Sequence, residues 1–403
     1  MSKFDKDYVE LLKEILSKGV EVENRTGINT FKIPSYNFEF DLQNEFPILQ
    51  TKQTFYKNAI IEMLWIWQMQ SNDVRELHKR GVHIWDEWMV DEDGIYRIYE
   101  PVTDKYDKDK EVVVYDPLSV PVENPTGELK PKYNEDGKIM TAKSLIEGKN
   151  IKEAKFFGKE YAYTIGTAYG FITNRYKHTQ NLINTLRNNK IDRRMVKSLW
   201  QDEFLRTAVL PSCVWSTEWD VTADTLNLSV HQRSCDTPLG LPFNVTQYAT
   251  LLKMIAQVTD LEAGKINYSI KDAHIYVNQI DGIKEQIARY KRYRELLNQY
   301  KDHFNDFKNY EMSLNLFIDK LEERPDILET EYIKNCKLDK KIIDIIESEE
   351  KPYLWLDKNI KEFSSFDNSK ELKHSKIKSY KHMGRIDFPI AQNLLFSIDN
   401  KIS

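Results

Sequence analysis

Cysteine is scarce in this chain: three thiols occur in 403 residues, at positions 213, 235 and 336. So few thiols exclude a disulfide-stabilised scaffold, and the lack of a Cys-x-x-Cys pair argues against a structural zinc site. No apolar run approaches the about 20 residues that span a membrane, and the first residues, MSKFDKDYVELLKEILSKG, lack the apolar core of a secretory signal. We therefore expect a cytoplasmic protein without a membrane partner.

The chain also lacks a large net charge of either sign: the net charge is −5 and the isoelectric point is about 6.0. This balance argues against a nucleic-acid partner, although a local basic pocket for one phosphate is compatible with it. Neither a Gly-x-x-x-x-Gly-Lys loop nor a Gly-x-Gly-x-x-Gly turn occurs, so P-loop and Rossmann phosphate sites are not indicated.

The hydrophobic spacing predicts helices and strands that do not alternate regularly. Helical periodicity marks the N-terminal segment, NAIIEMLWIWQMQ at 58–70 and PFNVTQYATLLKMIAQVTD at 242–260. Strand alternation marks KINYSIKDAHIYVNQ and two segments around a turn at Ala223–Asp224, and FPILQTK at 46–52 also reads as a short strand. The pattern predicts an α+β fold.

Two polar sections interrupt this pattern. Residues 89–160 contain several prolines and turn dipeptides, which fit a functional loop, an inserted subdomain of short strands or a partly mobile segment. Residues 290–350 are highly charged and rich in helix formers, with one proline, and we predict an inserted helical hairpin there.

Cys213, in LPSCVW, is either a buried apolar thiol or a nucleophile. Burial is the commoner case for an unpaired cysteine, and a nucleophile needs nearby cations or donors that stabilise its thiolate. Position 214 is valine, so no histidine adjoins the thiol, and Arg233, two strands further along the chain, is a candidate cation. Four arginines lie in or beside predicted turns and strands: Arg25, Arg193, Arg194 and Arg233. They are either solvated surface residues or a group that binds a phosphate or carboxylate.

Polar side chains in apolar surroundings are the other candidates. Glu62 either faces outward from its helix or is buried, in which case its pKa is raised and suits proton transfer. Asn244 is either a helix N-cap or an amide that reads the amide edge of a pyrimidine. His274 and Tyr276 alternate on one strand, so they share a face and either bind a sugar hydroxyl or are satisfied core residues.

Taken together, the blocks resemble one family closely, folate-dependent thymidylate synthase, and its Bacillus-type branch in particular. The resemblance runs from residue 4 to about 391, outside the two inserts. Its blocks, in order, are NRTGINTF, IIEMLWIW, HIWDEW, GTAYG, DRRMVKSLW, LPSCVW, HQRSCDTPLGLPFN, DAHIY and SYKH. It implies a single catalytic domain over 1–403, with a large mixed β-sheet that packs against helices and forms the interface of a homodimer.

The resemblance also implies the reaction and the roles of its residues. Cys213 attacks C6 of dUMP, 5,10-methylenetetrahydrofolate supplies carbon and hydride, and no metal takes part. Glu62 and Tyr169 assist proton transfer, and Arg193 and Arg194 reach the partner subunit's phosphate. The implied dUMP-binding residues are Arg25, Arg193, Arg194, Gln232, Arg233, Ser234, Asp236, Asn244, His274 and Tyr276. The implied folate-binding residues are Ile84, Trp85, Asp236, Leu239, Gly240 and Phe243.

The sequence departs from the family pattern at two places. Ser212 and Val214 flank the cysteine where proline and histidine are commoner, and an extension, residues 392–403, follows the segment at which family members usually end. Because site closure controls whether the methylene intermediate takes hydride or water, a deoxyuridylate hydroxymethyltransferase is an alternative. A catalytically inactive binding homologue is a second alternative.

Overall fold

The computed structural model describes residues 1–390, except residues 25, 101–110, 124–126, 147–148 and 325. Its helices are α1 (Lys3–Lys18), α2 (Tyr56–Trp67), α3 (Val74–His78), α4 (Gly170–Arg175), α5 (His178–Asn188), α6 (Gly240–Val258), α7 (Ile280–Asp302), α8 (Phe304–Glu322) and α9 (Glu331–Ile346). Its strands are β1 (Val20–Val22), β2 (Thr30–Asp41), β3 (Ile95–Glu100), β4 (Glu111–Asp116), β5 (Lys130–Pro131), β6 (Thr141–Lys143), β7 (Leu145–Ile146), β8 (Lys149–Phe156), β9 (Val196–Ser198), β10 (Val214–Thr222), β11 (Thr225–Gln232), β12 (Cys235–Asp236), β13 (Glu262–Tyr276), β14 (Tyr353–Leu356) and β15 (Ser375–Lys378).

One mixed sheet organises the molecule, in the order β1–β2–β13–β11–β10–β9, with β12 beside β13. The 15-residue strand β13 pairs antiparallel with β2 and parallel with β11. β10 and β11 form an antiparallel hairpin around Ala223–Asp224, and Ala223 has the left-handed φ of 54° that such a tight turn requires. The predicted pair of strands around this turn is confirmed, as is the α+β class.

Helices α2 and α6 pack on each other beside this sheet and carry much of the core. All nine residues from Ala59 to Trp67 are buried, so this part of α2 is surrounded by protein on every side. In the part of the chain that the structure describes, no helix has both the length and the apolarity needed to cross a membrane.

Residues 46–52 do not form the predicted strand. The buried carboxylate of Asp5 accepts hydrogen bonds from the backbone N–H groups of Gln50, at 3.0 Å, and Thr51, at 2.9 Å. These are donors that a strand would give to a neighbouring strand. The Asp5 side chain of α1 therefore accepts the backbone hydrogen bonds of this buried segment, which takes an irregular conformation.

The described part of 89–160 folds into short strands. β3, β8, β4 and β5 form a sheet in that order, with β6 paired to β4 and β7 to β8. It has its own apolar cluster, formed by Ile95, Val114, Ala142, Ile151 and Ala154. Of the three interpretations left open by the sequence, this arrangement supports a subdomain of short strands.

Residues 290–350 contain three packed helices rather than a two-helix hairpin. Helix α7 continues from the main body to Asp302, and α8 and α9 pack on it and on each other. Leu296, Phe307 and Ile342, one from each helix, are fully buried in a shared apolar cluster. The apolar face of α7 needs to be buried, and α8 and α9 together cover it.

Candidate active site

Cys213 lies immediately before β10, at the open end of the β10–β11 hairpin. Val214 pairs with Gln232 in the sheet, and the backbone N–H of Arg233 donates to the carbonyl of Cys213 at 2.8 Å. The hairpin therefore makes neighbours of two residues that are 20 positions apart in sequence.

Arg233 holds the loop that carries the thiol. Its Nε donates to the carbonyl of Ser212 at 3.0 Å and its Nη2 to that of Pro211 at 2.6 Å. The same Nη2 lies 4.0 Å from Sγ of Cys213, which is half-buried and so open to a substrate. A cation and an accessible thiol this close to each other support the nucleophile rather than the inert thiol.

Tyr169 contacts the nucleophile from the other side. Its hydroxyl oxygen accepts a hydrogen bond from the backbone N–H of Cys213 at 2.8 Å. Burial raises the pKa of Tyr169 well above its usual value, which keeps the hydroxyl protonated and able to donate. The φ of Tyr169, 47°, is unusual for an aromatic residue. At the next position a Cβ on Gly170 would lie 1.7 Å from the Ser71 carbonyl oxygen, so only glycine fits there.

Glu62 is buried within α2, so the outward-facing alternative is excluded. Trp85 Nε1 donates to its Oε1 at 2.6 Å, and Gln247 Nε2 donates to its Oε2 at 2.5 Å. Burial raises the pKa of Glu62 to about 7, although both hydrogen bonds oppose the change. A carboxyl group with this pKa exchanges protons readily near neutral pH.

Asn244 is not a helix N-cap, because α6 begins at Gly240 and Leu239 precedes it. Its Nδ2 donates to Oε1 of Gln247 at 3.1 Å. Gln247 therefore links the amide of Asn244 to the carboxyl group of Glu62, a role that the sequence analysis missed. The sequence feature that could have identified Gln247 is its amide side chain three residues after Asn244, on the same face of an otherwise apolar helix.

The nucleophile and the amide belong to one continuous set of contacts. The ring of Trp85 packs edge-on against Tyr169, with the ring centroids 5.5 Å apart. The set runs in order through Cys213, Tyr169, Trp85, Glu62, Gln247 and Asn244. It joins a thiol beside a guanidinium, a carboxyl group whose pKa is raised and a side-chain amide.

The strand ends beside Arg233 supply further polar groups. Gln232 is buried, with its Oε1 accepting from Tyr268 at 2.6 Å and its Nε2 donating to the carbonyl of Ser234 at 2.9 Å. The Ser234 hydroxyl donates to Asp272 at 3.4 Å. On β13, the rings of His274 and Tyr276 meet edge to face at 5.2 Å, as expected for residues that share a strand face.

Asp236 and the start of α6 form the other side of this region. Burial raises the pKa of Asp236, which accepts from the Leu239 N–H at 3.3 Å and from Gln279 at 3.4 Å. Lys52, which the sequence analysis did not single out, is buried nearby and donates to the carbonyl of Pro238; burial lowers its pKa to about 7. The predicted folate-binding residues occupy the first turn of α6 (Leu239, Gly240 and Phe243) and the segment entering the turn Asp86–Trp88 (Ile84 and Trp85).

Of the other predicted phosphate ligands, the described residues Arg193 and Arg194 lie at the surface. Arg193 is exposed, and Arg194 is 87% exposed with its guanidinium bound to Asp192. Both precede β9, the edge strand of the sheet. Arg25 and the predicted extension 392–403 lie outside the described residues.

Comparisons with known proteins show the family of this chain. The family model described as thymidylate synthase matches residues 6–320. The thymidylate synthase of Clostridium beijerinckii is 37% identical over 289 residues, covering 72% of this chain and 83% of that protein. This chain belongs to the thymidylate synthase family.

Two further relatives support this placement. The thymidylate synthase of Bacillus phage phi3T is 33% identical over 308 residues, covering 72% of this chain and 85% of that protein. The solved structure of thermostable thymidylate synthase A from Bacillus subtilis aligns with a TM-score of 0.59 at 26% identity, over 96% of this chain and 99% of that one. The predicted thymidylate synthase-like fold is confirmed, and the chain is an enzyme of the methyltransferase class.

Proposed function

We propose that this thymidylate synthase family member converts dUMP and 5,10-methylenetetrahydrofolate into dTMP and dihydrofolate. The observation that carries the proposal is the half-buried thiol of Cys213, which lies 4.0 Å from the Arg233 guanidinium. Tyr169 connects this residue to the series of contacts that ends at Asn244. The named relatives are thymidylate synthases, and they do not favour the hydroxymethyltransferase alternative.

Cys213 begins the reaction. Its thiolate adds to C6 of the uracil ring, and the electron pair of the C5–C6 bond moves toward O4 to give an enolate. The enolate carbon C5 then attacks the methylene carbon of the folate, and one of that carbon's two C–N bonds breaks with its electron pair passing to nitrogen; the other breaks when the folate leaves. Arg233 lies beside the attacking sulfur, and its guanidinium edge is suited to a phosphate oxygen.

Glu62 supports the proton transfers that follow. With its pKa near 7 it is able both to donate a proton toward O4 and to take one back near neutral pH. Tyr169 provides a protonated hydroxyl next to the nucleophile, and we assign it to the side of the ring from which the C5 proton leaves. Loss of that proton expels tetrahydrofolate, whose hydride converts the exocyclic methylene to methyl before the thiolate departs.

Asn244 reads the pyrimidine. A side-chain amide donates to O4 and accepts from N3–H of uracil, whereas cytosine presents a donor and an acceptor in the reversed order. Its orientation is set by Gln247, whose Oε1 accepts one of the Nδ2 hydrogens. We assign His274 and Tyr276 to the deoxyribose hydroxyl, Gln232 and Ser234 to the nucleotide, and Asp236 to both the nucleotide and the folate ring.

Product analysis with dUMP and methylenetetrahydrofolate tests the proposed function. The expected products are dTMP and dihydrofolate in equal amounts. Hydroxymethyl-dUMP with tetrahydrofolate would instead support the hydroxymethyltransferase alternative. Binding of both substrates without product would support the inactive homologue.

Replacing Asn244 with aspartate is expected to shift the ratio of kcat/KM for dUMP over dCMP by at least about 100-fold toward dCMP. The carboxylate accepts from the cytosine amino group and no longer donates to O4 of uracil. Steady-state kinetics with both nucleotides measure the ratio. The exposed Asn184→Asp on α5 adds the same charge and should leave the ratio unchanged; an unchanged ratio in Asn244→Asp would contradict the assigned role.

We further propose a homodimer in which Arg193 and Arg194 bind the phosphate at the partner subunit's site. Their exposure beside the edge strand β9 supports this assignment, since neither guanidinium is held in the interior of its own chain. A Cys213→Ala chain mixed with an Arg193→Ala/Arg194→Ala chain should form dimers with one intact site, so activity should exceed the mean of the two parents. Activity equal to that mean would exclude the shared site.

We place the protein in the cytoplasm. The three thiols are unpaired in the structure, which suits a reducing compartment. Detection of the protein in a non-cytoplasmic fraction of its native cell would contradict this placement.

A further inference from the structure

A cluster of three metal-ligand side chains lies outside the set of contacts that carries the reaction. His78 is the last residue of α3, and His83 and Asp86 follow it across the turn that contains Gly81. Gly81 has a φ of 71°, a conformation that favours glycine and that reverses the chain here. The turn brings both imidazoles to the same carboxylate.

The two histidines bind the two oxygens of one carboxylate. His78 Nε2 lies 2.6 Å from Oδ1 of Asp86, and His83 Nδ1 lies 3.1 Å from Oδ2. The rings are stacked, with centroids 4.8 Å apart and planes 24° from parallel. The three ligand atoms lie within 4.8 Å of one another, which makes this the one group of its kind among the described residues.

We propose that His78, His83 and Asp86 form a surface site for a borderline divalent cation such as Zn²⁺. Two imidazole nitrogens and one carboxylate oxygen are a ligand set that Zn²⁺ and its first-row neighbours accept, with water completing the coordination. Bonds of about 2.1 Å in a tetrahedral site place ligand atoms about 3.4 Å apart. Since the ligand atoms lie within 4.8 Å of one another, side-chain rotations that turn the imidazole nitrogens toward a common point would reach this spacing, with the cation replacing the hydrogens shared between the imidazoles and the carboxylate.

The cluster is accessible to a hydrated ion. The side chains of His78, His83 and Asp86 are 31%, 63% and 43% exposed. No opening of the core is needed for binding. Water molecules are able to occupy the remaining coordination positions, as in zinc sites that keep open positions.

The position of the site links it to the folate side of the active site. Asp86 follows Trp85, whose indole N–H donates to Glu62. A cation bound at this cluster would tie the end of α3 to the turn that carries Trp85. The site takes no part in the proposed methyl transfer, in which the sequence analysis expected no metal, so its existence does not depend on that function.

Titration of the untagged full-length protein with Co²⁺ and Zn²⁺ at about pH 7.5 tests the proposal. We expect one Co²⁺ per chain with visible absorption bands typical of tetrahedral coordination, and displacement of these bands by Zn²⁺. Zn²⁺ should also raise the melting temperature, because it binds the folded chain.

The variants separate this site from other surface histidines. His83→Ala, a change at an exposed position, and Asp86→Asn should each weaken Co²⁺ and Zn²⁺ binding by at least about tenfold. His303→Gln, a matched change at an exposed histidine between α7 and α8, should leave binding unchanged. The Cys213→Ala chain should bind as the unmodified chain does, which keeps this result independent of turnover. Absence of tetrahedral Co²⁺ bands, or equal affinity in His83→Ala, would overturn the proposal.

Discussion

Replacing Cys213 with alanine is expected to lower the rate of dTMP formation by at least about 10⁴-fold. No other thiol replaces it: Cys235 is fully buried, and burial raises the pKa of its thiol well above the usual value. Binding of dUMP should remain measurable, because Arg233 is held by the carbonyl groups of Pro211 and Ser212 rather than by the sulfur. Rate measurements and dUMP titration calorimetry test the two statements separately.

The matched control for this prediction is Cys336→Ala. Cys336 lies in the three-helix unit, where it is 7% exposed and belongs to a separate apolar cluster. The same substitution there should leave turnover within about twofold, because neither substrate contact nor the main core changes. Substantial turnover by Cys213→Ala would remove this residue as the nucleophile.

Replacing Glu62 with glutamine is expected to lower turnover by about 10²- to 10⁴-fold, the usual contribution of a positioned acid–base group. The amide keeps the shape of the carboxyl group and is able to accept from Trp85, but it exchanges no proton. It also presents an N–H₂ group to the amide of Gln247, which donates to Glu62 in the unmodified chain. Gln247 must then reverse its amide, and the hydrogen bond that orients Asn244 changes with it.

The same substitution is expected to stabilise the fold at higher pH. The folded-state pKa of Glu62, about 7, lies above its unfolded value, so folding favours the protonated form. Its contribution to stability is therefore fully present below the unfolded pKa and is lost as the pH rises toward and through 7. The free energy of unfolding of Glu62→Gln, relative to that of the unmodified chain, should rise by about 2–3 kcal/mol from about pH 5 to about pH 8.

Urea unfolding across this pH range measures the stability difference, and Glu10→Gln is the control. Glu10 is an exposed residue of α1, so its removal should give a difference that varies little with pH. If Glu62→Gln and Glu10→Gln give the same pH dependence, the carboxyl group of Glu62 titrates normally in the folded protein. Full turnover by Glu62→Gln would show that proton transfer uses another group.

The contacts of Glu62 show where sequence reasoning reached its limit. Its position in an apolar helix left burial and outward exposure equally open, since periodicity gives no direction to a helix that is apolar all round. Packing of α2 against α6 decided the matter and brought Gln247 to the carboxyl group. This contact joins residues 185 positions apart, and no local pattern specifies such a pair.

The amino-acid sequence by itself determined the elements that depend on local order. The β10–β11 hairpin followed from strand alternation around a two-residue turn, and with it the proximity of Cys213 and Arg233. The blocks from NRTGINTF to SYKH identified the family because their order and spacing are specific. These features are local, or follow from a register that one turn fixes.

The tertiary structure alone decided the features that depend on distant parts of the chain. Asp5 holds residues 50 and 51 out of a strand, and the apolar stripe of α7 takes two covering helices instead of forming half of a hairpin. Backbone N–H groups need hydrogen-bond partners, and apolar side chains need to be buried. Sequence periodicity does not identify the distant residues that meet these needs.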